Sequence, residues 1–323
     1  MRAAVVTRYG PPEVIEIRDV PGPVPQDNEV LVRVHASTVC FGDRIIRRGP
    51  LLVRLTNGLR RPKAHILGVD LAGTVTAVGK NVTRFAPGDP VFGSRGDKFG
   101  AHAEFACVAE DGFLAHKPAN MSLDEAATVF VGGVCSLYFL RKANIRPGER
   151  VLVHGASGSL GTFAVQLAKY YGAHVTGVCG PTNVDLVRSL GADAVIDYTK
   201  QDFTGDGPVY DVICDVMGKA GFPASLRALK PRGRYLLVGF SGGLLAILAA
   251  LLRGAGVRLR GRAVFIAGAA RPVQADLEFL KTLIEDGRLR AVIGRTYSLT
   301  DIVEAHRYAD TDHKVGNVVV VIP

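Results

Sequence analysis

Residues 151–161 read Val-Leu-Val-His-Gly-Ala-Ser-Gly-Ser-Leu-Gly, an apolar run that passes through small residues into a second apolar stretch. A strand, a tight turn and a helix start form the context in which the spacing G-x-G-x-x-G binds a dinucleotide, and here alanine replaces the first glycine. We expect Gly158 to let the backbone approach a pyrophosphate and Gly161 to let the helix pack closely on the strand. The predicted cofactor-binding turn consists of Ala156, Ser157, Gly158, Ser159, Leu160 and Gly161.

Short β-branched runs alternate with helical stretches from this turn onward. We place strands near residues 151–155, 174–179, 194–198, 209–216, 234–238 and 259–265. Parallel strands joined by helices form a doubly wound sheet, and six of them suit a dinucleotide-binding domain. The sequence therefore predicts an α/β fold with a Rossmann doubly wound parallel sheet over residues 121–289.

Residues 1–120 have a different texture, rich in valine, glycine and proline, with alternating runs such as Val30-Leu31-Val32-Arg33-Val34. Such alternation predicts strands with one buried face. The chain returns to strand-like sequence from about residue 291 and ends in Val318-Val319-Val320-Val321-Ile322-Pro323. We expect residues 290–323 to complete the β-rich domain of residues 1–120, so that the dinucleotide domain is an insertion.

The end of the second predicted strand distinguishes between nicotinamide cofactors. An acid about 20 residues after the glycine turn takes the ribose 2′-OH of NAD and repels the 2′-phosphate of NADP. Here the strand ends in Cys179-Gly180-Pro181 with no acid, and Thr182 and Asn183 can donate hydrogen bonds to a phosphate. Tyr198 and Lys200 follow the third strand on the same side of such a sheet. These residues favour NADP, as NADPH, over NAD; the alternative is that Lys200 is a solvated surface cation.

Composition excludes several classes of protein. The chain has 323 residues, of which 48% are apolar and 21% charged, so it is neither disordered nor fibrous. Its 39 lysines and arginines exceed its 30 acids by nine, a balance that favours anionic partners. Five widely spaced cysteines indicate reduced thiols, and no signal-like run follows Met1, so we predict a cytoplasmic protein. The longest apolar run, residues 244–252, is shorter than the roughly 20 residues that span a bilayer, so we expect no stable membrane insertion.

Several further motifs stand in the order found in one enzyme superfamily. They are Gly10-Pro11-Pro12-Glu13-Val14, Leu67-Gly68-Val69-Asp70-Leu71-Ala72-Gly73, Gly88-Asp89-Pro90-Val91-Phe92, Arg146-Pro147-Gly148-Glu149-Arg150, Ser189-Leu190-Gly191-Ala192-Asp193 and Glu304-Ala305-His306. With them the chain resembles, over nearly its whole length, the zinc-independent medium-chain dehydrogenase/reductase superfamily in its quinone oxidoreductase-like branch. The resemblance implies a GroES-like β-rich catalytic domain in addition to the Rossmann domain.

The resemblance also bears on zinc. Zinc members of the superfamily place ligands at the positions of Cys40 and Val69 and near Phe130, and here only Cys40 is a ligand type. One thiol cannot hold a tetrahedral zinc ion. We therefore expect no zinc and no other metal site.

Without a metal, the resemblance implies reduction of quinones or α,β-unsaturated carbonyls by hydride transfer from NADPH. It indicates Cys40 and Asp43 as catalytic candidates, because relatives carry Asn-x-x-Asp at this position. The alternatives are a space-filling thiol and a carboxylate that caps a loop. The sequence identifies no proton donor. Further cofactor contacts are implied for Cys135, Gly239, Phe240, Ser241 and Asn317.

Residues 44–63 carry seven cations and no acid, interleaved with leucine, isoleucine and valine. We interpret this basic segment as a mobile loop that attracts an anionic or amphipathic acceptor or touches a membrane surface; the alternative is a solvated insertion. In the family, the last strand of the cofactor domain commonly pairs across a dimer axis. A homodimer is therefore expected through residues 259–265 and 244–252.

Two alternatives to the reductase stay open. One is an NADPH-binding regulatory or nucleic-acid-associated protein of the same fold with little turnover, which the basic charge motivates. The other is an alcohol or aldehyde dehydrogenase. No helix-turn-helix, RNP-like or zinc-finger pattern is present, so we expect a small-molecule carbonyl or quinone substrate and no nucleic acid.

Overall fold

The computed structural model describes residues 1–63, 65–239 and 263–323. The chain divides into two compact units, one formed by Met1–Val131 with Val273–Pro323 and the other by Gly132–Pro272. The last 51 residues therefore group with the N-terminal part of the chain.

Strands dominate the first unit, and strands alternate with helices in the second. In chain order, the described strands are β1 Arg2–Val6, β2 Ile15–Asp19, β3 Glu29–Thr38, β4 Asp70–Val78, β5 Pro90–Ser94, β6 Phe105–Ala109, β7 Phe113–His116, β8 Arg150–His154, β9 His174–Cys179, β10 Ala194–Asp197, β11 Tyr210–Asp215, β12 Leu229–Leu237, β13 Ala263–Ala267, β14 Ile293–Ser298 and β15 Asn317–Val321. The described α-helices are α1 Phe41–Arg48, α2 Leu51–Asn57, α3 Leu123–Ala126, α4 Cys135–Ala143, α5 Ser159–Tyr170, α6 Val184–Ser189, α7 Phe222–Ala228, α8 Gln274–Glu285 and α9 Ile302–Asp310.

The first unit is built on a seven-stranded sheet in the order β14-β15-β3-β4-β5-β7, with β6 paired to β3. In β3 the alternating residues Val30, Val32 and Val34 are buried, because successive side chains of a strand point to opposite faces. The C-terminal strand β15 pairs antiparallel with β3, Val320 opposite Ser37, so the end of the chain completes this sheet.

The second unit contains a six-stranded sheet in the order β10-β9-β8-β11-β12-β13, and all of its pairs are parallel. Numbered from β8, this is the order 3-2-1-4-5-6 of the doubly wound Rossmann fold. The predicted fold class is confirmed. The order of strands changes direction between β8 and β11, which is where such sheets bind ligands at their carboxyl edge.

Strand β12 begins earlier than the sequence suggests. It was expected at residues 234–238 but starts at Leu229 and passes through Pro231. Arg232 adopts a left-handed φ of 62°, and the pairing with β11 shifts its register near Tyr210. An irregularity of this kind accommodates turn-like residues inside a strand.

Part of the predicted dimer region lies outside the described residues. This applies to residues 244–252 and to residues 259–262 of the predicted last strand; the described part of that strand, β13, pairs with β12. One helical run, Leu123–Ala143, is long and apolar enough to cross a membrane by length and composition. Its most apolar window has a mean hydropathy of 1.4 and is 67% buried in the protein, as in the core helices of soluble proteins.

Candidate functional site

The glycine-rich turn after β8 is held by short-range backbone packing. Gly155 has a left-handed φ of 85°, and the N–H groups of Gly155 and Ala156 both donate to the carbonyl of Val178, at 3.1 and 2.9 Å. A Cβ on Gly161 would overlap the carbonyl oxygen of Gly155, so only glycine lets helix α5 lie this close. A Cβ on Gly158 would meet nothing nearer than 3.5 Å. Helix α5 starts at Ser159 with no capping side chain from Gly158, as an anion-binding helix start requires.

Helix α4 is fastened to this turn by a residue that the sequence analysis missed. The hydroxyl of Ser136 donates to the carbonyl of Leu160 at 2.9 Å and to that of Gly132 at 2.8 Å. Cys135, a predicted cofactor contact, is the first residue of α4 and is half-buried. The structure therefore places Cys135 one residue from a direct link to the glycine turn.

The predicted residues at the ends of β9 and β10 lie beside the same turn. The side-chain amide of Asn183 donates to Ser157 Oγ at 3.2 Å, and a Cβ on Gly180 would lie 3.5 Å from the Tyr198 hydroxyl. Lys200 is 79% exposed on its side chain, with Nζ 3.8 Å from Asp197. Thr182 is exposed in the turn between them.

Cys179, the last residue of β9, is opposite Asp197 in β10. Burial, followed by the charge of Asp197, raises the pKa of this thiol to about 11, so it is a neutral packing group. At the end of β9, therefore, neither Cys179 nor residues 180–183 carry a negative charge.

A buried carboxylate at the end of β11 shapes the neighbouring loop. The backbone N–H groups of residues 217–220 donate to Asp215 at 2.8 to 3.3 Å, and the Tyr235 hydroxyl donates to it at 2.8 Å. Burial alone would raise the pKa of Asp215. The neighbouring His154, whose Nδ1 lies 3.4 Å away, together with the Tyr235 hydroxyl and the Ala220 N–H, outweighs burial, so the pKa is lowered. The fixed loop packs on the site, since a Cβ on Gly155 would overlap Met217. Asp215 could have been identified from the sequence, because it is an acid that directly follows the apolar run Val212-Ile213-Cys214.

The last cofactor segment is only partly described. Gly239 follows β12, and a Cβ on it would overlap the carbonyl of Val216, so it packs against the loop held by Asp215. Phe240 and Ser241 lie outside the described residues. Asn317, at the start of β15 in the first unit, is buried, and its side-chain amide donates to the Val292 carbonyl at 3.1 Å.

In the first unit, the Asp43 side chain is hydrogen-bonded to backbone N–H groups near Cys40. Its two carboxylate oxygens accept from Cys40 N–H at 2.8 Å and from Gly68 N–H at 2.7 Å, and the side chain is fully buried. Burial, followed by the charges of Asp43 and Asp70, raises the pKa of the Cys40 thiol well above its usual value. A thiol held in this way stays protonated and is a poor redox sensor, because the thiolate is the reactive form.

Asp70 and Lys314 complete this polar cluster, and neither was predicted as a site residue from the sequence. Burial raises the pKa of Asp70 to about 8. A hydrogen bond of 2.7 Å from the Thr38 hydroxyl lowers this pKa, but burial has the larger effect. Burial, followed by the charge of Arg44, lowers the pKa of Lys314 to about 8, and Cys40 acts on it in the opposite direction. The Lys314 ammonium donates to the Gly316 carbonyl at 3.0 Å. Its only sequence signal was its position just before Gly316-Asn317-Val318.

The residues around Cys40 do not fit a zinc site. A Cβ on Gly42 would lie 3.5 Å from Cys40 Sγ and 3.7 Å from a methyl group of Val69, so the thiol and an apolar side chain flank the same position. Within the described ranges, no three His, Cys, Asp or Glu side chains are grouped so that they could hold a metal ion. A thiol beside a methyl group does not supply the donor set that zinc requires.

Comparison with known proteins agrees with this architecture. The family described as "Alcohol dehydrogenase GroES-like domain" matches residues 26–119, and the family described as "Zinc-binding dehydrogenase" matches residues 190–320. A quinone oxidoreductase of Pseudomonas aeruginosa is 35% identical over 324 residues, covering 96% of each chain. A trans-enoyl reductase of Aspergillus terreus is 31% identical, covering 91% of this chain and 86% of its own.

The fold is also similar to a solved structure, the quinone oxidoreductase from Coxiella burnetii. The TM-score is 0.87 at 28% identity, over 100% of this chain and 99% of that one. The GroES-like domain and the Rossmann-like parallel sheet are both present. The chain belongs to the medium-chain dehydrogenase/reductase superfamily, as a quinone oxidoreductase-like oxidoreductase.

Proposed function

We propose that the protein is a zinc-independent, NADPH-dependent reductase of quinones or α,β-unsaturated carbonyls. The observation that carries this proposal is that the position beside Gly42 is flanked by the Cys40 thiol and by a methyl group of Val69, rather than by two metal ligands. Alcohol oxidation in zinc dehydrogenases relies on a metal as Lewis acid. Quinones and conjugated carbonyls need no such group, because their own conjugation spreads the charge that hydride addition creates.

The edge of the second unit fits a dinucleotide. The turn closed by Gly161 and the uncapped start of α5 suit a pyrophosphate, which is bound by backbone N–H groups at helix starts. When bound, the nicotinamide ring of the cofactor supplies the hydride. Ser157, Asn183 and the loop fixed by Asp215 would hold the nucleotide around this turn.

The preference for NADPH rests on the end of β9. Residues 180–183 contain no acid that would repel a 2′-phosphate, and Thr182, Asn183 and Tyr198 offer hydroxyl and amide donors. Lys200 adds a cation nearby in the chain, although it lies 3.8 Å from Asp197. The donors are neutral, so we expect a preference over NADH of modest size.

The first unit contains a candidate proton donor. The Lys314 ammonium has a pKa of about 8, close to working pH, which suits a general acid. The protonated thiol of Cys40 can orient a carbonyl oxygen by a weak hydrogen bond. Asp43 holds the backbone at Cys40 and Gly68 in place, which makes it a positioning residue.

The test is one set of assays on purified protein whose zinc content has been measured. NADPH or NADH is combined with quinones, enones and alkenals, and NAD or NADP with alcohols. We expect NADPH oxidation by quinones or enones at substoichiometric zinc. Tight NADPH binding with no oxidation by any acceptor would favour the regulatory alternative. Stoichiometric zinc with alcohol-dependent NAD reduction would favour the dehydrogenase that one matching family's description names.

A further inference from the structure

The exposed leucines of the described chain are gathered in one short segment. Leu51, Leu52, Leu55 and Leu59 are 72%, 48%, 63% and 65% exposed. Three of them lie on α2, and no residue of this helix is buried. Single exposed leucines are ordinary, but several on one helix form an apolar patch that marks an interaction site.

The helix is fixed through its backbone, so the leucines stay directed outward. The Tyr9 hydroxyl donates to the carbonyls of Gly58 at 2.7 Å and Asn57 at 3.2 Å, and Arg54 Nε donates to Gly49 O at 2.6 Å. The Arg54 guanidinium also lies 4.9 Å from the centre of the Tyr9 ring. A seven-residue helix is unstable alone in water, and these contacts hold it in place.

The seven cations of the basic segment fall into two groups. Arg44, Arg47 and Arg48 form ion pairs with Asp310 at 2.6 to 3.1 Å, and Arg54 is engaged as described above. The remaining three are exposed, and the described part of the chain shows no ion pair for any of them: Arg60, Arg61 and Lys63.

These three cations line a surface cavity of about 640 Å³ together with Leu59 and Thr7. No acid lines it. The cavity therefore joins the leucine patch through Leu59 and is suited to an anionic group. We call Leu51, Leu52, Leu55, Leu59, Arg60, Arg61 and Lys63 the docking surface.

We propose that the docking surface binds the face of a membrane that carries anionic lipids. The leucines would enter the boundary between headgroups and acyl chains, and the three cations would contact headgroup phosphates, with one headgroup in the cavity. Charge complementarity selects this partner. A second copy of the chain would bring the same cations, and a net charge of +9, to the contact. The contact is peripheral, with no segment spanning the bilayer.

The test is flotation of the full-length protein with vesicles of phosphatidylcholine alone or with about a third phosphatidylglycerol. We expect binding only to the anionic vesicles and a loss of binding as salt rises, because surface electrostatics are screened. Soluble glycerol phosphate at millimolar concentration should not displace the protein. Displacement by it would identify a free phosphate ester as the ligand and overturn the lipid proposal.

Two variants and two matched controls locate the contact. Arg60→Ser/Arg61→Ser should weaken vesicle binding roughly 25-fold, since each cation near an anionic surface contributes about fivefold. Its charge-matched control, Arg33→Ser/Arg146→Ser, removes two exposed cations elsewhere and should weaken binding much less. Leu51→Ser/Leu55→Ser, made in the parent protein, should lose most of its affinity for the anionic vesicles. Val24→Ser, which changes a side chain that is 83% exposed elsewhere on the protein, should keep the parent's affinity.

Three results would overturn the proposal. They are absence of binding to anionic vesicles, equal loss in the variants and their controls, and conversion of an oligomer to monomers by Leu51→Ser/Leu55→Ser. The last result would show that a second copy covers the leucines. Thermal unfolding of each variant, with a midpoint near that of the parent, shows that a loss of binding is not a loss of fold.

Discussion

The carboxyl edge of the parallel sheet and the polar cluster around Cys40 are organised on different principles. At the sheet edge, position is set by backbone contacts too close for any side chain, as at Gly161 and Gly239. Around Cys40, position is set by buried ionisable groups, and their burial moves the pKa values of Asp70 and Lys314 toward 8. The first arrangement provides a close-packed surface, and the second provides two groups whose pKa values are close to 8.

The largest effect is expected where packing is closest. Gly161→Ala would force a Cβ into the Gly155 carbonyl, and relieving such an overlap costs on the order of 3 kcal/mol. We expect loss of NADPH binding by at least a hundredfold and a lower midpoint of thermal unfolding. Titration calorimetry and thermal unfolding would measure both.

Gly158→Ala is the control within the same turn, because the nearest atom to its Cβ would be 3.5 Å away. It should keep the parent's thermal stability. If the two variants were equally stable and bound NADPH equally well, close packing at Gly161 would not determine the shape of the glycine turn.

The second prediction concerns proton supply in the polar cluster. Lys314→Met removes the candidate donor, and general acids typically contribute about a hundredfold or more to the rate. We expect kcat at about pH 7 to fall by roughly that factor. The parent's kcat should also decline above pH 8, where Lys314 loses its proton, and the variant should lack this decline.

Lys314→Arg provides the contrast, because arginine keeps the charge and does not lose its proton at these pH values. It should keep the parent's substrate affinity but should not show the decline in kcat near pH 8. An unchanged pH profile in Lys314→Met would remove Lys314 from the reaction and leave water as the proton source.

The sheet edge could be predicted from the sequence, whereas the polar cluster around Cys40 could not. The glycine turn, the six strands and the acid-free end of β9 depend on neighbours in the chain, and the spacing from Ala156 to Gly161 shows them directly. The early start of β12 could not be predicted, because Lys230-Pro231-Arg232-Gly233 has the composition of a turn. The strand continues past these residues only because Gly233 pairs with Ala263 of β13 and Arg234 with Val212 of β11. Asp70 and Lys314 are ordinary charged residues in the sequence. Asp70 is surrounded by Thr38 and Val131, and Lys314 is influenced by Arg44 and Cys40, all of them far away in the chain.

The third prediction tests the burial of Asp70 by stability. Its folded pKa of about 8 lies above the ordinary value of 3.8, so the folded state keeps a proton that the unfolded state releases. Stability from this group therefore falls as pH rises between about 4 and 8 and is level above that. Asp70→Asn should be similar in stability to the parent at pH 4 and more stable at pH 8, by at least about 2 kcal/mol, since a pKa shift of this size corresponds to at most about 5 kcal/mol. Urea unfolding at both pH values would measure it.

Asp43→Asn is the matched comparison, because both Asp43 oxygens accept from backbone N–H groups. An amide keeps one acceptor oxygen, so this variant should be less stable at both pH values by about 1 kcal/mol or more. A parent whose stability did not fall across this pH range would show that Asp70 is ionised in the folded protein.

The smallest effect is expected at the end of β9, where the cofactor preference depends on an absent charge. Thr182→Asp places a carboxylate on the exposed turn beside Asn183, and a carboxylate there repels a 2′-phosphate and accepts from a ribose 2′-OH. We expect NADPH affinity to fall about tenfold, or 1.4 kcal/mol, with NADH affinity unchanged or slightly higher. Thr182→Ser keeps the hydroxyl and should bind both cofactors as the parent does. Fluorescence titration with each cofactor measures the ratio, and an equal loss for NADH and NADPH would show that residue 182 contacts neither the phosphate nor the ribose hydroxyl. Thr182 would then have no part in selecting the cofactor, and the preference would have to come from Asn183, Tyr198 or Lys200.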